Sequence, residues 1–352
     1  MKIIKIGGPA LSNLSNLKDF ANTIKNSNSP ILLVISAFSK LSSSLKNCDY
    51  SLDFSKKASP FHFFRENSSI LSKSECVNFF TYLDKVEIIL TKRAKGISIS
   101  GELTTKVMDE ILSFGELTSS YFVHCLFNSN NIGNDFVDAR RLIKTDSNFG
   151  NARIDLEKSL MNIRNHSFKS DVVVTQGFIA SDFNNNTTTM GFESSNLSAL
   201  VFANALNSSE IEIISKVNGI YSSDPELVES ARPVSNIPYS SARTLANNGF
   251  KMLFPGMIDL AEKKNIKLIY KGISTKSMTY ISSSESFDIP VILKTIFGFI
   301  VAPISSKNAI KVLTSFSNQI DKFEYNRKDN SLFIHTSCIE INGLNDFTIS
   351  LF

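Results

Sequence analysis

Residues 187–196 read Thr-Thr-Thr-Met-Gly-Phe-Glu-Ser-Ser-Asn, a polar turn between two apolar runs. Upstream, Asp171-Val-Val-Val-Thr-Gln-Gly-Phe178 reads as a buried strand; downstream, residues 195–206 read as a helix. A turn that leaves the carboxyl end of a strand and opens a helix is where α/β proteins hold ligands. There the helix N-terminus offers unpaired N–H groups and the positive end of its dipole. Phosphate handling and the binding of small anions are the chemistry such a turn suits.

Four further constellations could act with it. In Lys5-Ile-Gly-Gly8 two glycines after a strand let backbone N–H groups close on a phosphate, and the lysine places a charge beside it. Gly-Gly also simply ends many strands. Ser113-Phe-Gly-Glu116, between two amphipathic stretches, offers Glu116 either to orient a substrate ammonium or hydroxyl, or to complement a helix dipole. In residues 211–225 a buried strand leads through Asn218-Gly219 to Tyr221 and Asp224-Pro225; this turn holds a base and ribose, or is an ordinary β-turn. In residues 248–255 Lys251 lies among apolar neighbours, where it faces phosphate or snorkels to the surface. His62 and His124 read as structural, and no His, Asp or Glu cluster has metal-ligand spacing.

The elements that must position these residues are strands and helices in alternation. Strands are expected at 2–6, 31–35, 171–178, 211–217 and 266–270, with a first helix at 16–25. The continuous apolar run 31–35 predicts a strand covered on both faces, hence a mainly parallel sheet sandwiched by helices. Residues 39–75 read as loop with one helix. Leu103, Val107, Met108, Ile111 and Leu112, then Leu117, Tyr121, His124 and Cys125, predict two helices with 113–116 between them. After about residue 275 the texture changes. Ser282 to Ser286 reads as a linker, and the remainder (a 290–303 segment, a helix at 307–318, strands near 331–338) as a small α+β module.

With 352 residues the chain has room for about two domains of ~150 residues. Its net charge of +4 (37 basic, 33 acidic) and the lack of like-charge blocks speak against a nucleic-acid partner. Cys48, Cys76, Cys125 and Cys338 are far apart, which predicts reduced thiols, not a zinc ribbon. The start runs straight into a strand, with no signal-peptide pattern, and the apolar run 31–38 is too short to span a bilayer. These readings predict a cytoplasmic protein with no membrane partner.

Taken together and in order, the pieces resemble the aspartate kinase family, within the amino-acid kinase fold. Lys5-Ile-Gly-Gly8 is similar to the family's K-F-G-G, and Glu102-Leu-Thr-Thr with Asp109-Glu-Ile-Leu-Ser-Phe-Gly-Glu116 to its E-L-T-P and S-x-G-E. Phe136-Val-Asp-Ala-Arg140, Thr175-Gln-Gly-Phe-Ile179, Thr187-Thr-Thr-Met-Gly191, Asn218-Gly-Ile-Tyr-Ser-Ser-Asp-Pro225 and Gly249-Phe-Lys-Met-Leu-Phe-Pro255 follow its further motifs collinearly. The resemblance implies transfer of a phosphoryl group from ATP, with Mg²⁺, to L-aspartate, giving 4-phospho-aspartate. It places Lys5 and Lys251 on the phosphates with Asn196 in the catalytic group. Gly7 and Gly8 would be backbone donors, and Ser215, Lys216, Tyr221 and Asp224 would lie at the nucleotide. Glu116, Thr189, Phe192 and Ser195 would lie at the substrate.

Several positions depart from the family pattern. Phe192 stands where the family has a carboxylate-gripping arginine, Asn196 where it has an aspartate, and Glu193 where it has a glycine. Lys216, Phe254 and Ala10 replace an aspartate, a histidine and a serine. Losing one preorganised electrostatic group typically costs on the order of 10²–10³ in rate. Three readings stay open: a divergent or slow aspartate kinase, a kinase for another carboxylate, and a non-catalytic paralogue that binds nucleotide or a partner. The resemblance implies a catalytic-type domain over 1–275, one short ACT-like regulatory or dimerisation module over 276–352, and a homodimer.

Overall fold

The computed structural model describes residues 1–352 except 13, 39, 48–58, 192–193, 274–276, 285, 337 and 352. The chain forms two compact units, Met1–Lys216 and Val217–Phe352. The expected division between 275 and 276, and Cys48 with it, lie outside the described residues. Cys76 and Cys125 are free thiols.

In chain order β1 (Lys2–Ile6), α1 (Leu14–Lys25) and β2 (Ile31–Ile35) open the first unit. α2 (Leu41–Lys46), α3 (His62–Glu66), α4 (Lys73–Ser100) and α5 (Thr105–Ser129) follow, then β3 (Asp135–Phe136) and α6 (Ala139–Leu142). β4 (Lys144–Thr145), β5 (Ile154–Asp155), α7 (Leu156–Asn165) and β6 (Val172–Gln176) lead to a hairpin of β7 (Ile179–Ser181) and β8 (Thr187–Thr189). α8 (Ser195–Ala205) and β9 (Glu210–Ser215) complete the unit. All pairings among β9, β1, β2, β6 and β3, which lie side by side in that order, are parallel. Every residue of β2 and β6 is buried, as expected of strands with helices on both faces. α5 packs on β2, β3 and β6, and α8 on β1, β2 and β9.

Residues 39–75, expected to be loop with one helix, carry two short helices among the described residues, α2 and α3. Two longer helical expectations also change. The two helices predicted across 103–125 are one, α5, and Ser113 to Glu116 lie inside it. Gly115 does not break the helix; a Cβ there would stand 3.1 Å from the Ala37 Cβ, so the glycine serves the close approach of α5 to the chain after β2. The 28-residue α4 is the second change. Its buried stripe of Phe79, Leu83, Val86, Leu90 and Ala94 has helical spacing. Ser72 Oγ caps its start by accepting the Glu75 N–H at 3.4 Å, and Gly101 at φ 70° ends it.

The second unit begins with a short antiparallel ribbon of β10 (Ile220–Tyr221) and β11 (Pro233–Val234). β12 (Asn236–Pro238), α9 (Tyr239–Asn247), α10 (Pro255–Lys264), β13 (Lys267–Gly272) and β14 (Met278–Ser282) follow. The small α+β module is then β15 (Val291–Thr295), β16 (Gly298–Ala302), α11 (Ser306–Ser315), β17 (Lys322–Asn326), β18 (Ser331–His335) and α12 (Ile341–Ser350). Its four strands are antiparallel in the order β15-β16-β18-β17, over a core that includes Val301, Val312, Leu332 and Leu344. The sequence signals at 307–318 and 331–338 correspond to α11 and β18; α12 has no counterpart among the sequence expectations. Among the described residues no helix is long and apolar enough to cross a membrane.

The turn after β1 crosses the end of β2 so closely that a Cβ on Gly8 would stand 1.9 Å from the Ala37 carbonyl oxygen. Gly8→Ala is therefore expected to cost about 3 kcal/mol through forced backbone displacement. Gly96→Ala, inside α4 with open space around it, is expected to stabilise by about 0.5–1 kcal/mol. Urea unfolding of both variants checks this; a Gly8→Ala protein as stable as the parent would contradict the crossing.

Candidate active site

A cavity of about 270 Å³ opens in the first unit where β1, β2 and β6 end. Its wall includes Lys5, Gly7 and Gly8 from the end of β1, Ala37 beyond β2, Glu116 from α5, and Ser195 at the start of α8. Carboxyl ends of parallel strands are the usual ligand position in such a sheet, because the loops there are free to vary while the strands hold them fixed. Phe178, just past β6 and at φ 66°, also faces this space.

Glu116 dominates the electrostatics. It is only 4% exposed, and its Oε1 accepts the Ala37 N–H at 3.2 Å. Oε2 is buried without a hydrogen-bond partner among the described residues. Burial pushes the carboxyl up to about 8, against the opposing influence of the Ala37 N–H and the Lys5 charge. Since Glu116 sits mid-helix, the helix-dipole alternative does not apply to it. Its neighbour Ser119 accepts the Phe38 N–H at 2.9 Å, so two adjacent amides after β2 are tied to α5. Lys5 is 8% exposed, a buried cation on the same wall. A cavity with one buried cation and one buried, half-satisfied carboxyl is suited to a zwitterion or to an acid carrying a hydrogen-bonding group.

The other expected residues of this unit divide. Ser195 reaches the cavity, and a Cβ on Gly177 would come 2.6 Å from the Ser195 Cβ, so glycine is needed for α8 to start there. Asn196, 3% exposed, lies next to it in α8 with its Oδ1 unpartnered among the described residues. Gly7 lines the cavity, but its N–H already donates to the Ile214 carbonyl at 2.8 Å, so the phosphate donor expected of it is engaged in the sheet. Thr189 is buried and faces inward: its hydroxyl donates to Asp109 Oδ1 at 2.7 Å and its N–H to Oδ2 at 2.9 Å. These contacts fix the β8 turn to α5. Phe192 and Glu193 lie outside the described residues. Ser215 ends β9 and Lys216 is exposed beyond it; neither lines this cavity.

Asp109 was not singled out from the sequence. It is 1% exposed and also accepts the Gly150 N–H at 2.9 Å; burial raises its carboxyl while these donors oppose the shift. Asp109 and Glu116 are seven residues apart, two helical turns, and share a face of α5. Reading 105–129 as one helix would have found that face.

The second unit holds a separate cavity of about 390 Å³. It brings together three residues expected at the nucleotide and its phosphates: Tyr221, Asp224 and Lys251. Asp224 Oδ1 accepts the Glu226 N–H at 3.0 Å, and its carbonyl accepts from Leu227 and Val228, so the turn after β10 is held internally. Lys251 is exposed at the cavity mouth rather than packed among its apolar neighbours. Much of the remaining wall is apolar, including Phe250, Met252, Ile292 and Leu293, which suits a planar base. Among the described residues no group of three His, Cys, Asp or Glu side chains could hold a metal ion.

Glu116 binds its proton more tightly in the folded chain than the ordinary value of 4.5 implies. Its stabilising contribution is therefore complete below about pH 4.5 and is lost as pH rises through about 8. Glu116→Gln removes this titration. Across that window the parent is expected to lose on the order of a few kcal/mol relative to the variant. Urea midpoints of both proteins from about pH 5 to pH 9 test the sign; parallel curves would show that burial does not govern this carboxyl.

The amino acid kinase family model matches residues 1–270. The aspartokinase of Helicobacter pylori (strain 26695) is 28% identical over 271 residues, covering 76% of this chain and 55% of that protein. The lysine-sensitive aspartokinase 3 of Escherichia coli is 26% identical over 183 residues, covering 51% of this chain and 40% of its own length. The bifunctional aspartokinase/homoserine dehydrogenase of Buchnera aphidicola is 25% identical over 286 residues, or 77% and 35%. The chain thus spans between a third and little more than half the length of these curated relatives. Among solved structures, E. coli aspartokinase III in complex with aspartate and ADP superposes with a TM-score of 0.70 at 19% identity, over 96% of this chain and 79% of that one. That likeness carries the fold; together with the family match over most of the sequence, it shows that the chain belongs to the amino acid kinase family.

Proposed function

We propose that this chain is an aspartate kinase-type phosphotransferase: ATP and L-aspartate react to 4-phospho-L-aspartate and ADP, the first step towards lysine, threonine and methionine. The observation that carries this is the buried carboxyl of Glu116, with one oxygen unpartnered, in a cavity shared with the buried cation Lys5. An amino-acid ammonium beside Oε2 would bring Glu116 to its charged form and satisfy the orphaned oxygen, which favours amino acids over plain acids. Lys5 would neutralise the acceptor carboxylate or the incoming phosphoryl group. The side-chain carboxylate oxygen attacks the γ-phosphorus, the new O–P bond forms, and the bond to the bridging oxygen breaks with its electron pair leaving on ADP. The attacking carboxylate has no proton to lose, so positioning and charge neutralisation supply the catalysis. Mg²⁺ enters as part of the nucleotide substrate.

Tyr221, Asp224 and Lys251 are assigned to the nucleotide, a reading that their convergence on one largely apolar cavity supports. Lys251 is assigned to its phosphates. Ser215 and Lys216 keep a nucleotide role by resemblance alone. By function, 1–275 is assigned as the catalytic-type domain and 276–352 as an ACT-like module through which two copies pair, in the cytoplasm.

A second reading, a non-catalytic or much slowed paralogue, is favoured by Asn196. Its amide is buried where the family pattern carries a carboxylate, and it brings no charge to order lysines around phosphates.

Hydroxylamine trapping of acyl phosphates, run with L-aspartate beside other amino and dicarboxylic acids, separates the readings. Aspartyl hydroxamate is expected, with Lys5→Ala lowering the rate by about 10²–10³. Asn196→Asp is expected to raise the parent rate by about tenfold or more. Product from another acid alone would move the acceptor; no product from any acid, with Mg-ATP still bound, would leave the paralogue.

A further inference from the structure

The cavity of the second unit has a wall that the family match does not reach. Ile292, Leu293 and Lys294 come from β15 and Ile341 from α12, all beyond residue 270, where that match ends. We propose that the C-terminal α+β module completes the nucleotide site: Ile292, Leu293 and Ile341 close an apolar wall on the base, and Lys294 supplies a cation for the phosphates. Nucleotide binding and docking of the module are then linked. The proposal rests on the reading of this cavity as the nucleotide site.

The docking is specific and buried. The Ile292 N–H donates to the Ser222 carbonyl at 2.6 Å, which joins β15 to the chain just after β10. The Ser222 hydroxyl donates to Asn345 Oδ1 at 2.9 Å and accepts the Arg232 N–H at 3.0 Å. Asn345 Nδ2 in turn donates to Ser230 Oγ at 3.0 Å, and Ser230 donates to Asp346. Both Ser222 and Asn345 are fully buried. The segment 222–232, which carries Asp224, is therefore held to β15 and α12 by a chain of satisfied polar groups. Such a network favours one arrangement, because each broken bond would leave a buried polar atom unpaired.

The charges on the wall make the module's contribution necessary. Asp224 and Glu226 bring two negative groups, Lys251 and Lys294 two positive ones. Without Lys294 the lining would carry net negative charge and would repel a magnesium nucleotide, itself an anion. One observation points independently to a ligand. Ser223, 4% exposed, lies on this wall with its hydroxyl unpartnered among the described residues. A buried hydroxyl without a partner costs free energy unless a bound molecule supplies one.

Linkage gives the consequence. A ligand that binds only when the module is docked stabilises the docked form by mass action, and docking strengthens binding by the same factor. The full chain is titrated with Mg-ATP and with adenosine by calorimetry, as the parent and as Lys294→Met and Lys294→Arg. Lys294→Met is expected to weaken Mg-ATP about tenfold while changing adenosine less than about twofold, and arginine to restore most of the loss. Hydrogen exchange on the parent is expected to show Mg-ATP slowing the amides of 291–295 and 341–345, a readout that needs no variant. Parent-like Mg-ATP affinity in Lys294→Met, or unchanged exchange in those segments with Mg-ATP bound, overturns the module's role. A parent chain that binds no Mg-ATP overturns the nucleotide reading itself, and the linkage with it.

Discussion

The first cavity depends on one buried carboxyl that its surroundings only half satisfy. Glu116 sits in the middle of α5, and the helix reaches the end of β2 because Gly115 leaves room for Ala37. Oε1 takes the Ala37 N–H, Ser119 takes the Phe38 N–H, and the chain after β2 is pinned as a result. That pinning defines one side of the cavity, and the Gly8 crossing fixes the turn after β1 against the same chain segment. Leaving Oε2 unpartnered is unfavourable in a low-dielectric site, and the packing of α5 on β2, β3 and β6 holds it in place. A ligand that supplies the missing donor would convert this cost into selectivity.

The same helix also organises the β8 turn. Asp109, on one face with Glu116, gathers Thr189 and the Gly150 N–H and so fixes the segment leading to α8. The cavity's polar lining comes from several elements, with Lys5 at the end of β1, Glu116 on α5 and Ser195 at the start of α8. Phosphoryl transfer to a carboxylate suits such a site, since it needs fixed cations and donors more than it needs a proton relay.

In the second unit, β15 and α12 contribute Ile292, Leu293, Lys294 and Ile341 to the wall of the second cavity, and the Ser222–Asn345 network ties them to the segment bearing Asp224. This packing is consistent with a compact unit that begins at Val217.

The parallel sheet was legible from residues 31–35 and 171–176 because strands buried on both faces must be continuously apolar, whatever surrounds them. The motif order was legible through glycines at close crossings, such as Gly8 against the Ala37 carbonyl, where a Cβ has no room. The expected break at 113–116, which is absent from α5, has a local cause. Ser113 and Gly115 look like helix breakers when only local preference is weighed, but contact with Ala37 makes a small residue favourable there. Side-chain type alone established that Lys5, Glu116, Tyr221, Asp224 and Lys251 could do chemistry. Only tertiary structure decided which atoms are still available for it. Burial and competing donors, which arise from chain segments far apart in sequence, engage the Gly7 N–H and the Thr189 hydroxyl while leaving Glu116 Oε2 unpartnered among the described residues.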